Sequence, residues 1–247
     1  MSKRARRHPL WAWLGWVLLA GVALQVFFVL RIAAMGLIDP QSTSFQRSEA
    51  WRLARDGKAQ RWSQTWVDYD QISPHLKRAV MASEDDGFAE HTGVDWDAIE
   101  SAWTRNERRA AQAERQGAKA RARPPKVVGG STITQQLAKN LLLSGERTLL
   151  RKGQELLLTL ALEALLSKPR ILEIYLNSVE WGEGIFGAEA AARRYFGKSA
   201  KQLSPYEAAR LAVMLPAPKR YQKRPDSAYL LGRAATIQAR MAGVTPP

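Results

Sequence analysis

From Leu10 to Leu30 the chain runs for about 21 residues with no charge and a single amide, Gln25, close to the ~20 apolar residues that a helix needs to cross a bilayer. Nothing else in the sequence limits the architecture so strongly, because a lipid-facing segment has to satisfy its own backbone as a helix. Trp11, Trp13 and Trp16 suit a membrane interface. A cleavable leader would have a shorter apolar core and a small-x-small site before the next charge, Arg31, so the run reads as a retained anchor. Lys3, Arg4, Arg6 and Arg7 precede it, against Arg31 and Arg47 soon after. That asymmetry predicts a cytoplasmic N-terminus and places everything beyond residue 38 outside the inner membrane. The expected organisation is a basic tail (1–9), an anchor (10–30), a stalk (31–59) and one folded domain (60–247).

Charge and cysteine usage narrow the chemistry. A net charge of +14 calls for an anionic partner, such as phosphate or an acidic membrane surface, and the inferred topology argues against nucleic acid. With no cysteine, disulfides, thiolate zinc sites and a cysteine nucleophile are excluded. Three histidines, His8, His75 and His91, are too few and too scattered for a multi-histidine metal site. Helical periodicity dominates and strand alternation is confined to Gln64–Tyr69, so the soluble part is expected to be all-α.

The densest stretch is Ser83-Glu84-Asp85-Asp86-Gly87-Phe88-Ala89-Glu90-His91-Thr92-Gly93. Ser73 and Pro74 start a helix whose buried face carries Leu76, Ala79, Val80 and Ser83, with Gly87 as its expected stop. Glu84 then lies at a helix C-terminus, where the macrodipole opposes a carboxylate and favours proton uptake, as a general base requires. Asp95 is expected to cap a further helix that carries Trp96, Ile99, Ala102 and Trp103 on one face. From Arg105 to Lys126 the composition turns to Ala, Arg, Gln and Lys, which predicts a mobile basic element.

The second dense motif spans Val127 to Asn140. Gly129 and Gly130 permit close backbone approach, and Thr132 with Gln135 forms a capping box for a helix bearing Thr132, Gln136, Lys139 and Asn140 on one face. A glycine pair before a helix N-terminus, with a lysine near by, suits a phosphate or pyrophosphate. The following leucine-rich helix, about Leu149 to Leu166, is expected to be a buried central helix whose charges, Arg151, Lys152 and Glu155, line a cleft. Ser167-Lys168-Pro169 opens another helix that ends near Asn177. After the tight Gly182–Gly187 loop come three more, stopping at Gly197, before Pro216 and near Ala242.

In their order, these motifs resemble those of the peptidoglycan glycosyltransferases. The similarity is to the monofunctional membrane-anchored kind, related to the glycosyltransferase domain of bifunctional penicillin-binding proteins. The likeness is carried by Glu84-Asp85-x-x-Phe88-x-x-His91-x-Gly93, Gly129 to Gln136 with Lys139-Asn140, Arg151-Lys152-x-x-Glu155, Lys168 to Asn177 and Gly184 to Pro218. It covers roughly residues 60 to 222, and the insertion from Arg109 to Lys126 departs from it. The resemblance implies a mainly helical, lysozyme-like, two-lobed domain behind one transmembrane helix. It implies polymerisation of lipid II with inversion at MurNAc C1 and release of the lipid pyrophosphate. Carried over, Glu84 is the base, Glu155 the second carboxylate, and Lys139, Arg151 and Lys152 neutralise pyrophosphate. Thr132, Gln136 and Asn140 hold sugar or phosphate oxygens, and Asp85, Phe88, His91 and Gly130 join the substrate-binding set. No organic cofactor is implied; a divalent cation, Mg or Mn, is compatible with the leaving group, although no dedicated cage is visible. Cell wall synthesis or division proteins are the expected partners, beside lipid II, the growing strand and anionic lipid. Ser-x-x-Lys and Lys-Thr-Gly are both absent, which excludes an acyl-serine transpeptidase module.

Overall fold

A computed structural model describes residues 9–116, 130–146 and 148–247. The basic tail before Pro9 and the stretch 117–129, which holds the second part of the expected mobile element and the first glycine of the pair, lie outside the described residues. The chain is mostly helical, as its periodicity requires. α1 (Pro9–Ala34) is the apolar run, longer at both ends than the sequence reading. Its C-terminal end is built into the domain: Ile32 and Met35 are buried, and Arg170 donates to the Met35 carbonyl at 2.8 Å while pairing with Asp39.

The expected stalk is not one. Residues 44–55 form α2 (Ser44–Arg55), started by a Thr43–Gln46 capping box, and both Gln46 and Leu53 are buried. Polar composition hid this helix, because its contacts with the domain are few and specific. α3 (Pro74–Glu84) begins as expected with Ser73 as cap. It stops earlier than the glycine suggested. Asp85 leaves the helix in extended conformation to accept a hydrogen bond from Ile133 N–H, and Gly87 keeps a negative φ.

α4 (Trp96–Gln116) is capped by Asp95, which accepts from Ala98 N–H at 2.7 Å. Its expected apolar face is not buried as a whole: Ala102 is, whereas Trp96 and Trp103 are 70% and 68% exposed. Helix also continues through Arg105–Gln116, where a mobile element was expected. α5 (Ile133–Leu142) has the Thr132–Gln135 capping box. α6 (Leu149–Leu165) corrects a second expectation, since only Glu155, Leu158, Thr159 and Leu162 are buried while Leu149 and Leu150 are about 90% exposed. One stripe of α6 packs on α5, and α1 lies along another, tied by reciprocal 2.9 Å amide hydrogen bonds between Gln25 and Gln154.

α7 (Lys168–Ser178) is buried over most of its length and joins α5 and α6 to α8 (Ala188–Phe196), which ends on left-handed Gly197. α9 (Pro205–Met214), the short α10 (Pro218–Tyr221) and α11 (Ala228–Arg240) complete the described helices. α9 packs against both α3 and α11. One continuous apolar core runs from Ile32 and Leu76 through Ile133, Leu158 and Tyr175 to Leu211 and Ile237.

Among the described residues the strands form one small sheet in the order β1 (Ser63–Gln64), β3 (Ile185–Phe186), β2 (Glu180–Gly182), with β1 parallel and β2 antiparallel to β3. The strand expected over Gln64–Tyr69 is thus only its first residue plus Ser63. Beyond it, Val67 finds its hydrogen bonds on a side chain instead of a neighbouring strand: Asn177 accepts from Val67 N–H at 3.0 Å and donates to its carbonyl at 2.9 Å. The β2–β3 register shifts between Glu180 and Gly182, as in a β-bulge, and the intervening Trp181 is fully buried with its indole N–H on the Leu211 carbonyl.

Candidate active site

The main cleft, about 930 Å³, is framed by α2, α5, the 143–146 loop, the start of α6, Tyr175 on α7, Val179–Glu180 and the α9–α10 turn. Gln136, Lys139, Asn140, Arg151, Lys152 and Glu155 from the sequence-predicted set line it. Helical spacing explains the α6 group, because residues three and four apart share a face. Glu155, 3% exposed, receives Arg151 Nη1 at 2.7 Å and also pairs with Lys152. Burial of this carboxylate is therefore matched by two cations, and Thr159 on the next turn donates to its carbonyl.

Glu84 reaches the cleft's edge through one amide. Gln136 Nε2 donates to Glu84 Oε2 at 3.0 Å, and Gln136 Oε1 accepts from the Tyr175 hydroxyl at 3.0 Å. Tyr175 is fully buried, and burial together with the charges of Glu84 and Asp85 holds its hydroxyl protonated well above its usual range. The hydroxyl therefore stays a donor, which orients the amide and directs its NH₂ at the carboxylate. Burial raises the Glu84 pKa, followed by opposing hydrogen bonds from Gln136 and Ser83 and a further upward push from Asp85. The upward direction agrees with the sequence argument; its leading cause is desolvation rather than helix-end position.

The remaining predicted residues are gathered beside the cleft, where they hold its walls. Asp85 Oδ2 accepts from Ile133 N–H at 2.9 Å, so the N-terminus of α5, expected to receive phosphate, already carries a carboxylate of the protein. Asp85 Oδ1 is 2.8 Å from His91 Nε2, and His91 Nδ1 accepts from Gly93 N–H, which fixes the tautomer with the proton on Nε2. Thr132 is 2% exposed and its hydroxyl donates to the Gly93 carbonyl at 2.7 Å. Phe88 is fully buried beneath the Lys168 ammonium. Gly130 lies against α4, where an added Cβ would sit 3.2 Å from the backbone of Ala98 and Ile99. Gly93 has φ +90°, and a Cβ there would meet Thr159 and Glu163 at 2.8 Å.

Two cleft residues escaped the sequence reading. Tyr175 has the spacing of an ordinary helix residue, and Glu180 stands alone in the sequence between the apolar Val179 and Trp181. Asp85, His91 and Asp95 bring ligand atoms within 4.8 Å of one another. They do not fit a divalent cation, since both Asp85 oxygens and both His91 nitrogens are engaged and Asp95 Oδ1 caps α4. Glu155 is likewise saturated by its two cations.

The domain is helical, stands behind an apolar N-terminal helix and gathers a basic cluster around the buried Glu155 in one cleft, with Glu84 at its edge. A family model described as Transglycosylase matches residues 52–242. The chain is 51% identical over 242 residues to the biosynthetic peptidoglycan transglycosylase of Azoarcus sp. (strain BH72), covering 96% of this chain and 98% of that one. It is 49% identical over 231 residues to that of Paraburkholderia phytofirmans, covering 94% and 90%. Identity is also 49% over 250 residues to that of Burkholderia thailandensis, covering 100% and 92%. The chain belongs to the transglycosylase family, and it is an enzyme of the glycosyltransferase class.

Proposed function

We propose that this protein is a peptidoglycan transglycosylase of cell wall synthesis that polymerises lipid II, with inversion at MurNAc C1 and release of the lipid pyrophosphate. The observation that carries the reading is a half-buried Glu84 held by the Gln136 amide at the edge of a cleft that Gln136 lines together with Arg151, Lys152 and Glu155. Glu84 takes the proton from the attacking GlcNAc 4-hydroxyl, and its raised pKa brings its basicity closer to neutral pH. Lys139, Arg151 and Lys152 stabilise charge on the departing pyrophosphate, and Glu155 holds Arg151 and Lys152 in place from beneath. Gln136 and Asn140 supply hydrogen bonds to the substrate. Asp85, His91, Phe88, Thr132 and Gly130 position the two loops rather than touch the sugar. No step is routed through a metal ion, and no transpeptidase activity accompanies the transfer.

α1 anchors the enzyme, with the N-terminus in the cytoplasm and the domain outside. The exposed leucines of α6 beside α1, with Trp96 and Trp103 also exposed, fit a domain that rests against lipid, where apolar exposure costs nothing. The test is incubation of the detergent-solubilised chain with purified lipid II, followed by size analysis of the product. Long glycan strands are expected, and Glu84→Gln should abolish them. Degradation of preformed glycan without strand growth would replace this reading with that of a lysozyme-like cleaving enzyme.

A further inference from the structure

The cleft contains a third buried carboxylate that the mechanism leaves unused. Glu180 on β2 has a side chain 6% exposed, and its Oε1 is buried without a hydrogen-bond partner. The nearest cation is Lys219 on α10, whose Nζ lies 3.6 Å from that oxygen but only 2.6 Å from Glu49 on α2. Glu49 is also bound by Arg52. Lys219 is therefore held more closely by Glu49, and Glu180, which lines the cleft, keeps a buried oxygen with no partner at hydrogen-bond distance. The bulge at Trp181 sends the indole into the core, while its neighbour Glu180 lines the cavity.

The charges around the cleft are segregated. At the α6 wall two cations share one carboxylate, Glu155; at the β2 wall Glu49 takes both Arg52 and Lys219 and leaves Glu180 with Lys219 alone, at 3.6 Å. A phosphate favours the first and is repelled by the Glu180 carboxylate. What satisfies an unpartnered carboxylate oxygen there is a neutral donor, and on an amino-sugar polymer that means a hydroxyl or an acetamido N–H.

We infer that Glu180, flanked by Glu49 and Lys219, is a glycan-binding subsite that takes a sugar hydroxyl or acetamido N–H and so orients the substrate with its phosphate end toward α6. This rests on the proposed reading of the cleft as the place where glycan is polymerised. Glu180 is a binding residue here, outside the proton transfer and the departure of pyrophosphate. Burial, partly offset by Lys219 and reinforced by Glu49, pushes its carboxyl up to about 7. The other titratable group facing it, Tyr195 on α8, is raised to about 12 and stays neutral across the working range. An ionised acceptor binds a donor more strongly than a protonated one, so binding should tighten between pH 6 and 8, and the part due to Glu180 is the part that Glu180→Gln removes.

The experiment titrates the detergent-solubilised full chain with a soluble GlcNAc–MurNAc tetrasaccharide at pH 6 and pH 8. Thermal melts and lipid II turnover are recorded for the same samples. Glu180→Ala should weaken tetrasaccharide binding by about tenfold at pH 8. Glu180→Gln, which keeps shape and an acceptor oxygen, should recover most of that affinity and lose the pH response. Turnover should suffer through KM rather than kcat. Wild-type affinity in a folded Glu180→Ala protein overturns the subsite. So does a loss of affinity that Glu180→Gln fails to restore and that follows the melting temperature, because that pattern belongs to a structural role. Failure of the wild-type chain to bind the tetrasaccharide or to polymerise lipid II instead overturns the parent reading of the cleft.

Discussion

Glu84 and Glu155 are the same residue type, one half-buried at the edge of the cleft and the other buried in its wall, yet they are held in opposite ways. Glu155 sits on the inward stripe of α6 with Arg151 and Lys152 one turn away, so its charge is neutralised by partners on its own helix. Among the described residues Glu84 is held by neutral groups, the Gln136 amide and the Ser83 hydroxyl at 3.5 Å, beside the charge of its neighbour Asp85. Desolvation next to a like charge favours the protonated form of Glu84, whereas Glu155 is ion-paired with two cations of its own helix. One carboxylate is prepared to exchange a proton and the other to organise charge, the division of labour on which acid–base catalysis depends.

The sharpest way to break this comparison is Glu84→Gln. It keeps the shape and the bond from Gln136 but removes the base, so lipid II turnover should fall by roughly 10²–10⁴-fold while substrate binding persists. Near wild-type turnover would move the base elsewhere. Arg151→Gln attacks the other side. Glu155 would keep only Lys152, which is half exposed, and the fold should lose roughly 2–4 kcal/mol in chemical denaturation, with weaker lipid II binding. An unchanged denaturation midpoint would mean that Glu155 does not need its counter-charges.

A smaller effect separates the two carboxylates by pH. Glu84 binds its proton more tightly folded than unfolded. Its stabilising contribution is therefore complete below the unfolded carboxylate pKa and is lost as pH rises through the raised folded value. Glu84→Gln should then melt at or above the wild-type temperature at neutral pH, with the advantage vanishing in acid, and the acid limb of wild-type turnover should lie above the usual carboxylate range. A variant that melts lower at neutral pH would show that the carboxylate is not a strained, desolvated group. The smallest effect concerns the anchor, which is bonded next to Glu155 through Gln154 but not to Glu84. Gln25→Leu should cost about 0.5–2 kcal/mol of α1–α6 association, read as protease sensitivity of the 35–43 segment in detergent. Unaltered digestion would mean that the amide pair adds nothing to that contact.

Much of the site was legible because its chemistry is local. Arg151, Lys152 and Glu155 come together by helical spacing alone, and the Thr132–Gln135 and Ser204–Glu207 capping boxes declare where α5 and α9 begin. The helical class followed from periodicity. Other expectations gave way wherever a long-range partner competed with a local signal. Asp85 ended α3 before Gly87 could, and filled the anion-binding end of α5. Asn177 took the hydrogen bonds that a strand at Val67 would have needed, and α2 formed out of a segment whose composition resembled a stalk.

By itself the sequence determined most of the helices outside α2 and the end of α4, which stretch is apolar enough to cross a membrane and which charges share a helix face, because those properties depend on neighbours within a few residues. Tertiary structure alone decided which predicted residues face the cleft and which brace it. It joined Tyr175, Gln136 and Glu84 from three helices into one hydrogen-bonded line, and it left Glu180 with an unshared oxygen beside Lys219. Orientation and desolvation arise only when distant segments pack, so the pKa of a carboxylate and the donor that fixes an amide are properties of the fold.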